Sequence, residues 1–485
     1  MPIHFGTDGW RGVISDSFTF HNLRLVSQAI ADAIAAEEWH AGAYQGPQPD
    51  ARRIVVGFDT RFLSDRFAVE AARVLAGNGF KVYLTSADVP TPALSYAVRH
   101  LGAIAGIMIT ASHNAPRYNG VKLKAAYGGA ATRAQCHRVE VYFNDNESRG
   151  RGPNLMDYEQ AKQTGLIERF NPTPAYHEHL RSLIDFEAIA ENPQHIVVDS
   201  MFGSGRGQIK GILQGTGCEV FEVRGEMNPG FGGIHPEPIS RYLGAMAGAI
   251  ASGAGQLGVA TDGDADRIGA MDGRGGFVDP HRLMSLSLRY LVDQRGRKGK
   301  VVKSVSTTQM LNRLGKRYEL EVIETPVGFD HIADLMLRDD VLIGGEESGG
   351  ISFKGHIPEG DGILMGLLLL EMVASTGVSL DELITSLLRD FGPSHYGRLD
   401  LRLARPVSKD EMTERLTQEA PASIGDLKLE SVNDRDGVKY LMQDDSWLLI
   451  RPSGTEPVLR VYAEAQAPES LEMLLEHGRE VAQAN

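Results

Sequence analysis

Two hydrophobic periods share this chain. Leu23 to Glu38 repeats its apolar residues at the spacing of one helical face, and Asp65–Ala76 does the same up to a stop at Gly77. Between them Ile54–Phe58 is a short apolar run that predicts a strand, as do Lys81–Thr85 and Ile104–Ile109. The pattern resumes with strands at His195–Asp199, Leu257–Thr261, Val301–Val305 and Val341–Ile343 and a helix at His281–Asp293. Such alternation predicts an α/β architecture. After Ser394 the order becomes strand, helix, strands, helix. Trp447–Ile450 and Val458–Ala463 read as paired strands and Glu469–Ala484 as a closing amphipathic helix, which predicts a smaller C-terminal α+β domain. Ile363–Ala374, the most apolar run, contains Glu371 and is too short to cross a bilayer, so it reads as a buried helix. Tyr44–Arg52, rich in Gly, Pro and Gln, reads as an exposed loop.

Four apolar strands run straight into polar loops. Ile107–Ile109 leads into Thr110-Ala111-Ser112-His113-Asn114, and Val259–Ala260 into Asp262-Gly263-Asp264-Ala265-Asp266-Arg267. Val341–Ile343 leads into Gly344-Gly345-Glu346-Glu347-Ser348-Gly349, and Leu448–Ile450 into Arg451-Pro452-Ser453-Gly454-Thr455. Open α/β sheets bind ligands beyond the carboxyl ends of their strands, so four such loops of complementary chemistry predict one shared cleft.

Each loop carries its own chemistry. Asp262, Asp264 and Asp266 repel one another unless a cation sits among them, and an all-oxygen set suits Mg²⁺. An EF-hand is excluded, because Arg267 stands where its glycine would be and Gly273 where its glutamate would be. A solvated acidic turn is the other reading of that loop. Ser112 in a tight loop, flanked by His113 and Asn114, is a candidate nucleophile. Lys122 and Lys124 share one face of a strand, either towards the site or along a solvated edge. Arg451 with Ser453, Gly454 and Thr455 forms an anion loop of guanidinium fork, hydroxyls and close backbone. Arg460 adds charge there or lies on the surface. Glu346 and Ser348 point the same way if their segment is extended, which suits sugar hydroxyls; a cap for a neighbouring element is the alternative. Gly203-Ser204-Gly205-Arg206-Gly207 fails the dinucleotide pattern because residue 208 is Gln, and the chain has no P-loop.

Composition narrows the class. A length of 485 residues suits three or four domains, and 42% hydrophobic with 23% charged residues is that of an ordinary globular chain. The net charge of −14 argues against nucleic-acid binding, although a cleft can still be locally positive. Cys136 and Cys218 have no metal or redox spacing, which suits a reducing compartment, and the start shows no signal peptide. A cytoplasmic protein with no membrane and no nucleic-acid partner is expected.

The motifs TASHN at 110–114, DGDADR at 262–267, GEESGG at 345–350 and RPSGTEP at 451–457, with the opening Gly6-Thr7-Asp8-Gly9-Trp10-Arg11-Gly12, resemble the α-D-phosphohexomutase superfamily over the whole chain. The resemblance implies four domains around a central cleft: 1–165 with the phosphoserine loop, 166–268 with the metal loop, 269–394 with the sugar loop and 395–485 with the phosphate loop. The first three are similar mixed α/β domains and the last a smaller α+β domain. It implies that phosphorylated Ser112 transfers its phosphoryl group, with Arg11, His113, Lys122 and Arg267 around it. One Mg²⁺ is held by Asp262, Asp264, Asp266 and an oxygen on Ser112. Substrate contacts are expected from Glu346, Ser348, Lys303, Arg451, Ser453, Gly454 and Thr455. Sugar phosphates are the expected small-molecule partners, glucose 1,6-bisphosphate the intermediate and activator, and a monomer or homodimer the expected assembly.

Within that family the third motif, followed by Phe353-Lys354-Gly355-His356-Ile357-Pro358, is most similar to phosphoglucomutases. Two departures qualify this: Asp330 and Gly360 stand where such sequences often carry cations. A glucose 1,6-bisphosphate synthase that releases its intermediate, or a phosphomannomutase, is therefore the alternative. A serine-dependent metal phosphatase would gain nothing from the Arg451 loop. A non-catalytic sugar-phosphate sensor could afford to lose Ser112 or an aspartate, and neither is lost.

Overall fold

Alternating apolar segments of this kind must bury their strands between helices, and the computed structural model of the chain does so in two compact units. One comprises Met1–Leu283 with Gly328–Asp381, the other Met284–Val327 with Glu382–Asn485. The structure describes residues 3–6, 9–36, 39, 46–403, 408–452 and 458–483.

The first unit contains a six-stranded mixed sheet ordered Trp10–Val13, Tyr118–Ala125, Ala103–Ile109, Asp50–Phe58, Lys81–Thr85, Ile167–Phe170. Its central strands are parallel, and Tyr118–Ala125 returns antiparallel to Ala103–Ile109, bringing Lys122 opposite Met108. Helices Phe20–Ala35 and Ser64–Gly77 bury one face in the core around Leu23, Val26, Ile30, Phe67 and Leu75. A five-stranded sheet follows, ordered Phe277–Val278, Ile268–Met271, Leu257–Thr261, His195–Asp199, Glu219–Val223. Helix Gly362–Thr376 is buried from Gly362 to Ala374, as its unbroken apolar run requires. Asp361 caps its first turn, and Glu371 is satisfied by the Asp185 N–H at 2.8 Å. Among the described residues, no single helix is long and apolar enough to cross a membrane.

The second unit pairs Lys300–Ser304 in parallel with Val322–Thr325. It also builds an antiparallel six-stranded sheet ordered His395–Arg402, Val458–Ala465, Trp447–Pro452, Val438–Met442, Leu427–Asn433, Ser423–Ile424. Helix Pro468–Gln483 closes over a core that includes Val438, Ile450, Val461 and Leu474.

One expected loop is partly strand. Asp50–Arg52 opens strand Asp50–Phe58, with the Asp50 N–H on the Gly102 carbonyl at 2.8 Å. Its first residues are polar because that end is exposed, which hid it from a search for apolar runs. Tyr44 and Gln45 lie outside the described residues.

Candidate active site

Ser112 follows strand Ala103–Ile109 and takes a left-handed backbone, φ +49, with its side chain almost wholly buried. A non-glycine residue holds that conformation only where its surroundings impose it. Here the Ser112 N–H donates to Thr110 Oγ1 at 2.9 Å, and Thr110 Oγ1 donates to Asp59 Oδ2 at 2.6 Å. The hydroxyl donates to Asp262 Oδ2 at 2.8 Å and lies 3.3 Å from His113 Nδ1. Burial, then Arg267, Arg11 and Lys122, pull the His113 pKa well below its usual value, so the ring is neutral near pH 7 and offers a lone pair. Arg11, on the strand paired with Tyr118–Ala125, donates to Asn114 Oδ1 at 2.7 Å.

Asp262, Asp264 and Asp266 each offer an oxygen, and the three lie within 4.8 Å of one another. Burial, with Asp266 and Asp264 beside it, raises the Asp262 pKa strongly. Burial alone would raise Asp264 too, but the Lys122 ammonium and the Thr91 hydroxyl hold it below the usual carboxylate range. Lys122 pairs with Asp264 at 3.0 Å and with Asp266. The solvated-edge alternative for the two lysines is thus excluded: Lys124, equally buried, pairs with Glu359 at 2.6 Å. Asp264 Oδ1 is buried with no donor. Three converging carboxylates with an oxygen to spare fit a small divalent cation such as Mg²⁺.

The aspartate loop is pinned from several sides. The Thr91 N–H bonds to the Asp264 carbonyl, Ser204 N–H to Gly263, and Gly263 N–H to Pro236. Gly362 N–H bonds to Ala265, and Ile268 N–H to Gly349. Ala265 takes φ +60 to make the turn. Arg267 sits 4.0 Å from Asp266 with most of its side chain covered.

Glu346 and Ser348 are not in an extended segment. The Gly349 N–H bonds to the Glu346 carbonyl at 3.1 Å and Glu346 N–H to Gly350 at 3.0 Å, so residues 346–350 form a tight turn. Alternation along a strand therefore does not apply to them. The Glu346 carboxyl accepts the Gly328 N–H at 2.8 Å, and its burial pushes the pKa up to about 7. Ser348 is half-buried in the same turn.

The two departures have local reasons. Asp330 is paired with Arg133 at 3.0 Å, so its charge is matched. A β-carbon on Gly360 would stand 2.7 Å from the Asp266 carbonyl oxygen and 3.0 Å from Gly350 Cα. The missing β-carbon at Gly360 lets its segment lie against Gly350 and the Asp266 carbonyl.

In the second unit, Arg451 Nε donates to Asp436 Oδ2 at 2.8 Å, and Asp436 also pairs with Lys409 and accepts the Val327 N–H. Ser453, Gly454 and Thr455 lie outside the described residues, as do Thr7 and Asp8. Arg460 lies 3.9 Å from Asp400 across the sheet. Lys303 is a correction. It is fully buried and donates to the carbonyls of Thr307 and Thr308, beside Glu324 at 3.6 Å, so its own fold occupies the ammonium expected to meet substrate.

Sequence reasoning missed Asp59, Arg61, Glu359 and Asp436. The first two had a signal: strand Asp50–Phe58 also runs into a polar loop, Asp59-Thr60-Arg61, by the rule that found the other four.

Comparisons with known proteins cover the chain almost end to end. Models of the phosphoglucomutase/phosphomannomutase α/β/α domains I, II and III match residues 2–150, 174–275 and 279–391, and the model of its C-terminal domain matches 406–479. A phosphoglucomutase/phosphomannomutase of Thermococcus kodakarensis is 29% identical over 98% of this chain and 97% of its own. A phosphoglucosamine/phosphogalactosamine mutase of Sulfurisphaera tokodaii is 30% identical over 95% of each. A crystal structure from Thermus thermophilus, described as a phosphomannomutase, is 37% identical, with a TM-score of 0.84 over 100% of this chain and 99% of its own. The fold is also shared, at 18% identity and a TM-score of 0.54, with Aspergillus fumigatus N-acetylphosphoglucosamine mutase in complex with GlcNAc-6P and magnesium, over 94% of this chain and 98% of that one.

Proposed function

The chain belongs to the phosphoglucomutase/phosphomannomutase family of α-D-phosphohexomutases, which are intramolecular phosphotransferases, and on that premise we propose that it interconverts glucose 1-phosphate and glucose 6-phosphate through phosphorylated Ser112. The observation that carries this reading is the Ser112 hydroxyl on Asp262, within the buried aspartate cluster that also holds Lys122.

In the forward step the bond between phosphorus and Ser112 Oγ breaks as a sugar hydroxyl oxygen bonds to phosphorus, and the hydroxyl proton passes to a base. His113, neutral and beside Oγ, is the group at hand to accept that proton, and the departing Ser112 oxygen takes up a proton in turn; Lys122, an ammonium held by carboxylates, is a donor rather than a base. In the return step the second phosphate of the bisphosphate moves to Ser112. Asp262, Asp264 and Asp266 with the phosphoserine oxygen would hold Mg²⁺, which when bound neutralises charge on the transferring group. Arg11, Arg267 and Lys122 add positive charge near the same oxygens. Glu346 and Ser348 are assigned the sugar hydroxyls, and Arg451 with Ser453, Gly454 and Thr455 the anion that does not react.

Glucose is favoured over mannose or glucosamine by the third motif, with Gly350 closing it. The pairing of Asp330 with Arg133 and the packing at Gly360 supply reasons for both departures that do not involve release of the bisphosphate, so a mutase is favoured over a bisphosphate synthase.

The test is a coupled assay for glucose 6-phosphate from glucose 1-phosphate, with trace glucose 1,6-bisphosphate. Turnover is expected to require Mg²⁺ and to fall at least roughly a thousandfold in Ser112→Ala. Mannose and glucosamine phosphates should be poorer substrates. Net release of inorganic phosphate, or accumulation of bisphosphate ahead of glucose 6-phosphate, would overturn the reading.

A further inference from the structure

Beneath the Ser112 loop lies a buried guanidinium that touches no candidate reacting atom. The Arg61 side chain is fully enclosed. Its Nη2 donates to the carbonyls of Ser112 at 2.5 Å and Asn114 at 2.7 Å, and its Nη1 to those of Ala115 and Tyr118, both at 3.0 Å. Every Nη hydrogen therefore has a loop carbonyl, and Nε, which makes no hydrogen bond, is ion-paired with Asp59 Oδ2 at 3.1 Å. Asp59 in turn accepts the Arg61 N–H and the Ser64 hydroxyl on one oxygen and Thr110 Oγ1 on the other. Thr110 Oγ1 is the group that receives the Ser112 N–H. One carboxylate thus ties the strand end, the guanidinium and the serine backbone together.

The remaining face of the guanidinium is covered by the Phe231 ring, 4.9 Å from its centroid. Phe231 is itself buried and held at φ +49, ahead of Gly232 and Gly233, also at positive φ. A bulky residue keeps that backbone only where packing over-determines it. The contact links the segment after strand Glu219–Val223 to the serine loop, and the aspartate loop packs on the same loop, where a β-carbon on Gly263 would stand 2.5 Å from the Ser112 carbonyl oxygen.

We propose that Arg61, clamped by Asp59 and covered by Phe231, is the positioning residue that fixes the Ser112 loop for phosphoryl transfer. Four carbonyl oxygens are turned onto Arg61 and so away from a dianionic group on Oγ, and the left-handed turn at Ser112 is held by the same network. Lysine cannot replace it: a compact ammonium has three donors and no planar fork to span four carbonyls. The kinetic part of this inference rests on the phosphoserine mutase reading above; the ordering of the loop does not.

The test compares Arg61→Lys and Phe231→Leu with the wild-type chain by two readouts. Amide hydrogen exchange of residues 111–118 should rise tenfold or more in Arg61→Lys, with strand Lys81–Thr85 unchanged as the internal control. The kcat for glucose 1-phosphate should fall about a hundredfold in Arg61→Lys and about fivefold in Phe231→Leu, with KM within about threefold, as a misplaced nucleophile requires. A merely structural Arg61 would lower activity only in proportion to the folded fraction and leave the kcat of folded molecules intact. That result, or unchanged exchange at 111–118, overturns the proposal. If Arg61→Lys does not fold, Phe231→Leu decides by the same criteria. If the wild-type protein shows no mutase turnover, the functional reading fails, while exchange still decides whether Arg61 orders the loop.

Discussion

The Glu346 carboxyl is half-buried in its turn, and loss of water around it pushes its pKa up to about 7 although the Gly328 N–H and the Arg267 guanidinium favour the charged form. A raised carboxyl pKa means that the folded chain prefers the protonated form. Its contribution to stability is complete below the unfolded value of 4.5 and is lost as pH rises through about 7. Glu346→Gln keeps the neutral form at every pH. The melting temperature of the wild type should therefore fall relative to Glu346→Gln between pH 5 and pH 8, by an amount on the order of 1–3 kcal/mol of stability. Parallel pH profiles would show that the carboxyl is not held neutral. At this scale residue type singled out Ser112, His113, Lys122 and the aspartates, which the fold brings together. It was a poor guide for Lys303, because a buried lysine bound to its own carbonyls has the same letter as a ligand-binding one.

At the scale of elements, strand ends place the site and the turns after them shape it. Residues 346–350 turn back because Gly349, at φ +94, lets the chain approach the Ile268 carbonyl, where a β-carbon would stand 2.5 Å away. The Gly350 and Gly360 segments then meet over the Asp266 carbonyl. Gly360→Ala should cost about 1–3 kcal/mol through overpacking and reduce turnover by displacing the Asp266 backbone. Thermal denaturation with steady-state kinetics checks this, and an unperturbed variant would return the absent cation at 360 to consideration as a determinant of product release. Periodicity located nearly every strand and helix compared above. It missed Asp50–Arg52, where solvent rather than a helix covers the strand, and the turn at 346–350, where hydrogen bonds override alternation.

For the molecule as a whole, the aspartate loop is the junction of the first unit, bonded through its backbone to Thr91, Ser204, Pro236, Gly349 and Gly362. A ligand of that loop should therefore stabilise a large part of the unit. Mg²⁺ at a hundredfold excess over its Kd contributes about 2.7 kcal/mol, a rise in melting temperature on the order of 5 °C. Asp264→Asn should abolish the rise, and a chelator should reverse it in the wild type. A Mg²⁺-dependent shift that survives Asp264→Asn would place the ion elsewhere. Where the two units melt separately, only the transition of the one carrying residues 262–267 should move.

The sequence by itself determined most of the elements and the three strand-to-loop junctions after Ile109, Thr261 and Gly345, because periodicity and local motifs act over a few residues; Arg451 and Pro452 instead complete strand Trp447–Pro452. Only the tertiary structure decided the partners. Arg61 reaches carbonyls 51 to 57 positions away, Lys122 meets Asp266 144 positions on, and Lys124 meets Glu359 235 positions on. Such contacts are stabilised by proximity and exclusion of water, and both are created by the packing of sheets and helices rather than by neighbourhood along the chain.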